Sequence, residues 1–242
     1  MAKTWAKQRG ALFIFPFYKS IVRWFVILRH TERFLLMTSP SHPEKRKMPD
    51  FETGYANHTP EEMPWYLRSL DPDVDKAFSN HDIPSRGHWL DLGTGTGTQA
   101  LHLYEKGYKV TGTDISPSAI EHAKRLSSHI EWVVDDILNT KLSAPFSGIL
   151  DRGVFHVFHA EERATYIQTV SQLLEPNGWL LLKCFSDKET MPEGPYRFAL
   201  NDINTLFGPL FTVHKIEPSV FYGTFSQTER PIQALWCVMQ KR

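Results

Sequence analysis

From Pro64 onward, short apolar runs alternate with longer stretches in which apolar residues recur at helical spacing. The runs His88–Leu92, Tyr108–Thr113, Ile130–Val134, Phe146–Leu150 and Trp179–Phe185 predict five strands. Between them lie three predicted helices: Thr98–Lys106, stopped by Gly107; Ala119–Leu126, entered through a Ser116-Pro117 cap; and Glu161–Leu174, closed by Pro176-Asn177-Gly178. Trp65, Leu67, Leu70, Val74 and Phe78 predict a leading helix broken near Pro72, and Asp202–Phe207 a short late one. Phe211–Ile216 and Ala234–Met239 predict two last strands, near enough in sequence to pair antiparallel. Strands alternating with helices build parallel β/α units with right-handed crossovers. The pattern therefore predicts an α/β fold: a doubly wound, mostly parallel seven-stranded sheet with an antiparallel last strand.

Before Pro64 the pattern changes. Thr38–Pro60 is rich in Ser, Pro, His and charge and reads as a linker. Upstream, Ala11–Phe17 and Ile21–Leu28 are apolar but interrupted by Lys19 and Arg23, so a spanning helix of about 18 uncharged residues is not predicted. The expected organisation is a basic, poorly packed N-terminal extension and linker over residues 1–59 and one domain over 60–242. A basic amphipathic segment over residues 11–36 is compatible with weak attachment to a membrane surface, or with a segment of no function.

Net charge is zero over 242 residues, yet residues 1–40 carry Lys3, Lys7, Arg9, Lys19, Arg23, Arg29 and Arg33 against Glu32 alone. The remaining body is acidic, which disfavours a nucleic-acid partner. Cys184 and Cys237, the two cysteines, both lie in apolar runs. That excludes a disulfide scaffold, points to the cytoplasm, and offers no zinc spacing.

Candidate chemistry concentrates after the first strand. Trp89-Leu90-Asp91-Leu92-Gly93-Thr94-Gly95-Thr96-Gly97 is a buried strand, an acid, then a turn with glycine at alternate positions, followed at once by a helix. A dinucleotide fingerprint would place its third glycine at position 98, which is Thr98. Asp91 beside the turn would repel a pyrophosphate but suit a cation or hydroxyls. The pattern resembles motif I of class I S-adenosylmethionine (SAM)-dependent methyltransferases, whose cofactor carries a sulfonium, an amino group and no phosphate. The resemblance implies a Rossmann-like sheet and SAM as cofactor.

Further acids recur at the predicted strand ends: Asp114, Asp136 and Asp151. Ligands bind beyond the carboxyl ends of parallel strands, so these acids should ring one crevice with Asp91. An acid at Asp114 suits ribose hydroxyls, with Ile115 beside it. Asp135-Asp136-Ile137 offers an acceptor for an adenine amino group and an amide donor for the ring; either acid is otherwise a cap or surface turn. Leu150-Asp151-Arg152-Gly153-Val154-Phe155-His156 lacks the Asn-Pro-Pro-Tyr type motif that holds planar nitrogen. It is similar instead to the thiopurine S-methyltransferase group and its tellurite-resistance and thiol methyltransferase relatives, as are Pro64-Trp65, Asp114-Ile115-Ser116, Arg163 with Tyr166, Pro176-Asn177-Gly178 and Gly194-Pro195-Tyr196. The resemblance covers about residues 60–242. It implies cofactor contacts from Trp65, Asp91, Gly93, Thr94, Gly95, Asp114, Ile115, Asp136, Ile137 and Asp151.

Arg152, Asp151 and His156 are the candidate catalytic residues. Arg152 offers a planar fork of donors for an anionic acceptor, or else a salt bridge to Asp151 or Glu162. His156 is a possible general base; paired with His159 it lacks a third metal ligand nearby in sequence. Phe155, Tyr196, Phe198, Phe221 and Tyr222 either wall an acceptor pocket or belong to the core. The expected function is methyl transfer to a small-molecule acceptor, preferably a thiol or similar soft nucleophile. The alternatives are O- or C-methylation of a quinone-type metabolite and a non-catalytic SAM-binding module. Monomer and dimer are both open.

Overall fold

The computed structural model describes residues 50–79, 83–84, 86–143, 145–223 and 231–242. The N-terminal extension, with the surface-binding segment expected at 11–36, lies outside the described residues. The sheet has seven strands in the order β3-β2-β1-β4-β5-β7-β6. Strands β1 (His88–Leu92), β2 (Lys109–Asp114), β3 (Glu131–Val134), β4 (Phe146–Arg152) and β5 (Leu174–Phe185) run parallel. Strand β7 (Ile232–Lys241) runs antiparallel to both β5 and β6 (Phe211–Phe221). The expected α/β architecture, with its antiparallel last strand, is therefore present. Strand order reverses between β1 and β4, the switch point at which such sheets bind ligands.

Alternation along the strands sends neighbouring side chains to opposite faces. Leu90, Ile149, Leu180 and Leu182 enter one core with Tyr166 and Val170 of α5 (Ala160–Leu173) and Phe207 of α6 (Leu200–Phe207). Trp89, Leu150, Leu181 and Trp236 enter the other, with Val74 of α2 (Pro72–Ser79) and Ala100 and Leu103 of α3 (Thr98–Glu105). Central strands buried on both faces read as continuous apolar runs, and this made them legible. Helix α4 (Pro117–Leu126) starts as expected: Ser116 Oγ accepts from Ala119 N at 3.0 Å.

Four expectations need correction. Phe51–Asn57, inside the expected linker, is a helix (α1) with Asp50 as its N-cap and Tyr55 buried. Polar composition hid it, because only one turn face is apolar. Trp65–Leu70 is not helical; the helix begins at Pro72, where proline's missing N–H is harmless. Strand β4 runs two residues past Leu150, so Asp151 and Arg152 belong to it. Strand β6 continues beyond Ile216 to Phe221 and includes Pro218. A proline is tolerated there because β6 is the sheet edge. Of the aromatic residues read as pocket wall or core, Phe155 and Phe198 take the core alternative, both fully buried.

Candidate active site

The site is built at the carboxyl ends of β2, β1 and β4. Gly93, Gly95 and Gly97 all have positive φ, at 65°, 55° and 88°. A Cβ on Gly93 would stand 2.1 Å from Val154 Cγ2, so this turn and the loop after β4 need glycine to touch. Thr94 N donates to Thr113 O at 2.7 Å, which ties the turn to β2. Asp91 is buried, and its Oδ2 accepts from Thr94 Oγ1 at 2.6 Å and Ala100 N at 3.1 Å. Burial pushes its carboxyl up to about 7, against those two donors and the Arg152 charge.

Asp114 is buried at the end of β2. It accepts from Gly95 N on Oδ2 and Ser116 N on Oδ1, both at 2.9 Å. Its carboxyl is raised by burial, against the pull of those amides. Asp136 caps the short turn Ile137–Asn139: Leu138 N donates at 3.0 Å and Asn139 Nδ2 at 2.8 Å. Asp135 likewise holds Thr140 Oγ1 and Lys141 N. Ile115 is 60% exposed and Val134 49%, an open apolar pair at the ends of β2 and β3. Acids lining the turn and an uncovered apolar wall beside Asp114 fit a cationic, adenine-bearing cofactor without phosphate.

Helix α1 closes this region from one side. Glu52 accepts from Ser116 Oγ at 2.5 Å, Ser118 Oγ at 2.6 Å and Ser118 N at 3.2 Å, a carboxylate on the first turn of α4. The Tyr55 hydroxyl accepts from Trp65 Nε1 at 2.6 Å and stands 2.7 Å from where a Cβ on Gly95 would be. Burial and the Asp114 charge raise the Tyr55 phenol. Glu52 and Tyr55 lay in the segment read as linker, and no periodic signal announced them.

The loop after β4 hangs on Asp151. Its Oδ1 accepts from Gly153 N at 3.0 Å and Val154 N at 2.7 Å; its Oδ2 accepts from Phe155 N at 2.9 Å and from the Tyr166 hydroxyl. Burial pushes the carboxyl up to about 6 against those four donors. Arg152 is engaged at each of its three nitrogens: Nε to Asp71 Oδ2 at 2.8 Å, Nη1 to Trp65 O at 3.1 Å, and Nη2 to Tyr222 O. The ion pair expected with Asp151 or Glu162 is therefore with Asp71, 81 positions away. His156 is buried. Its Nδ1 accepts from Phe185 N at 3.1 Å, and burial pushes it down to about 3 against the pull of the Gly153 backbone. The lone pair of this neutral imidazole is taken up by Phe185 N. Among the described residues no cluster of three His, Cys, Asp or Glu could hold a metal ion.

Residues 90–178 match a family model described as a methyltransferase domain. The chain is 29% identical over 186 residues to the 2-heptyl-1-hydroxyquinolin-4(1H)-one methyltransferase of Mycobacteroides abscessus, covering 72% of this chain and 81% of that one. It is 26% identical over 153 residues to a probable thiol methyltransferase of Arabidopsis thaliana, covering 61% and 67%. Its fold matches the N-methyltransferase NodS of Bradyrhizobium japonicum, solved with S-adenosylhomocysteine, at a TM-score of 0.61 and 19% identity over 80% and 99% of the chains. The chain is a class I SAM-dependent methyltransferase.

In this methyltransferase, SAM supplies an already activated methyl group on a sulfonium. What the chain's own residues contribute is alignment and exclusion of water. Because His156 stays neutral, its titration bears on stability. Its folded-state pKa lies below the unfolded value of 6.5, so the stability it confers is present above pH 6.5 and lost as pH falls from 6.5 towards 3. The loss is on the order of 4 kcal/mol. His156→Asn keeps an acceptor for Phe185 N without titrating. Urea midpoints at pH 7 and pH 4 should therefore show a smaller acid loss in the variant than in the wild type. Parallel losses would show that His156 is already charged in the folded protein.

Proposed function

We propose that the methyltransferase acts on a small thiol or similar soft nucleophile that enters the cleft able to ionise by itself. One observation carries this reading: neither candidate base in the loop after β4 has a lone pair to offer. Four donors fill the acceptor sites of Asp151, and the one lone pair of neutral His156, on Nδ1, accepts from Phe185 N. A thiol with a pKa of about 8.5 needs little help to form a thiolate. Similarity to the probable thiol methyltransferase supports the same class. Similarity to the hydroxyquinolone enzyme favours a second reading, transfer to a small heteroaromatic acceptor.

In this proposal Asp114 accepts from the ribose hydroxyls and Ile115 covers the adenine, which Asp136 and the Ile137 amide flank. Asp91, Gly93, Thr94 and Gly95 receive the amino-acid end, with Trp65 above them. Asp151 shapes the loop beside the methyl group. The test is transfer of labelled methyl from SAM to a panel of small thiols, selenite, tellurite and the hydroxyquinolone. Thiol turnover that rises with pH through the acceptor's own ionisation is expected. Product on the hydroxyquinolone with none on any thiol, selenite or tellurite would replace the first reading by the second.

We also place the start of the functional domain near Asp50 instead of residue 60, because α1 packs against the glycine-rich turn. A chain starting at Met48 should bind S-adenosylhomocysteine as the full chain does. One starting at Pro60 loses Glu52 and Tyr55 and should bind about tenfold more weakly, the worth of one or two lost hydrogen bonds. Equal affinity of the two shortened chains in calorimetric titration would return the boundary to residue 60. No helix among the described residues is long and apolar enough to cross a membrane. Co-sedimentation of the full chain, but not the Met48 chain, with anionic vesicles would assign surface attachment to the extension.

A further inference from the structure

Four charged side chains, Lys183, Arg152, Asp71 and Asp73, are packed together beside the site. Lys183 sits on β5 beside Arg152 of β4, with no accessible side-chain surface. Its Nζ lies 2.7 and 2.8 Å from the two oxygens of Asp71 and 2.6 Å from Asp73 Oδ2. Arg152 Nε holds Asp71 from the other side. The Lys183 ammonium also lies 4.7 Å from the centre of the Tyr222 ring. Two positive and two negative charges balance, and both cations contact Asp71 and Tyr222.

The stretches joined are the ones that flank the cleft. Asp71 and Asp73 anchor the segment after Trp65; Gln99 of α3 holds the same segment through Asp71 N at 2.8 Å and Ser69 O at 3.0 Å. Arg152 reaches the Trp65 carbonyl and the Tyr222 carbonyl just past the end of β6. Ser219 of β6 donates to Asp73. Trp65 in turn bonds Tyr55, which lies against Gly95. Buried ion pairs are often no more stabilising than apolar residues of the same size, and their best-attested use is to fix one arrangement among several.

Resting on the SAM-binding reading of the glycine-rich turn, we infer that Lys183 and Asp71 are positioning residues. With Arg152 they form a clasp that holds the Trp65–Asp73 segment and the end of β6 over the cofactor cleft. Arg152 acts here through the main chain of Trp65 and Tyr222 instead of by touching the acceptor.

The test compares Lys183→Met, Lys183→Arg and Asp73→Asn in the full chain by amide hydrogen exchange and by calorimetric titration with S-adenosylhomocysteine. In Lys183→Met, exchange should accelerate at least about tenfold over residues 65–73 and 219–222 while β1, β4 and β5 keep their protection. Affinity for S-adenosylhomocysteine should fall by about tenfold, and Lys183→Arg should restore most of both. Asp73→Asn keeps Asp71 and serves if Lys183→Met does not fold; about threefold effects confined to the same residues are expected. Unchanged exchange in a folded variant, or acceleration spread evenly over the domain, overturns the clasp. Failure of the wild type to bind S-adenosylhomocysteine would sink the cofactor reading, while the exchange comparison would still decide the clasp.

Discussion

Asp151→Ala should lower the stability of the domain by about 4 kcal/mol, a larger effect than any change at the cofactor acids. Alanine leaves the amides of Gly153, Val154 and Phe155 and the Tyr166 hydroxyl facing an empty space in a buried site. Each is a donor to a charged acceptor, and an unpaired buried donor keeps its full desolvation cost. For a domain of this size the melting temperature should fall by about 10 °C. Asp151→Asn supplies one acceptor oxygen and should recover part of the loss. Thermal unfolding of the three proteins decides the matter. A melting temperature within about 2 °C of wild type in Asp151→Ala would show that water replaces the carboxylate and that the loop does not hang on it.

Asp114→Ala should weaken S-adenosylhomocysteine by ten- to about a hundredfold, the equivalent of about 1.5–3 kcal/mol for a bond to a charged acceptor. Two effects act in the same direction. The carboxylate proposed to receive the ribose is lost, and so are the bonds that hold Gly95 N and Ser116 N at 2.9 Å. The glycine-rich turn and the start of α4 then lose their common anchor. Asp114→Asn keeps an acceptor for one amide only and should fall between alanine and wild type. Calorimetric titration, with circular dichroism to confirm folding, tests this. Wild-type affinity in a folded Asp114→Ala protein would mean that another group reads the ribose.

The parts of the site legible from sequence were those with a local cause. A glycine-rich turn needs left-handed backbone at particular positions, and only glycine supplies it without strain, so Gly93, Gly95 and Gly97 announced the turn. Ser116-Pro117 announced the start of α4 for the same kind of reason. Acids at strand ends could be placed around one crevice, because parallel strands share a carboxyl edge. Helix α1 was not legible: seven residues with little apolar periodicity become a helix only by packing Tyr55 and Glu52 against the turn and α4. The partners of Arg152 and His156 were not legible, because Asp71 and Phe185 are 81 and 29 positions away. Lys183 gave a signal that went unused. A charge inside the apolar run Leu180-Leu181-Leu182-Lys183-Cys184-Phe185 must find a buried partner.

By itself, then, the chain's sequence determined the α/β class, the order in which strands and helices alternate, and the turn that suits SAM, since each follows from periodicity or backbone conformation within a few residues. The tertiary structure alone decided which polar groups are free to react. Burial and distant partners, not residue type, set that outcome: Asp151 became the anchor of a loop, His156 a neutral acceptor in the core, and Arg152 half of a clasp with Asp71 and Lys183.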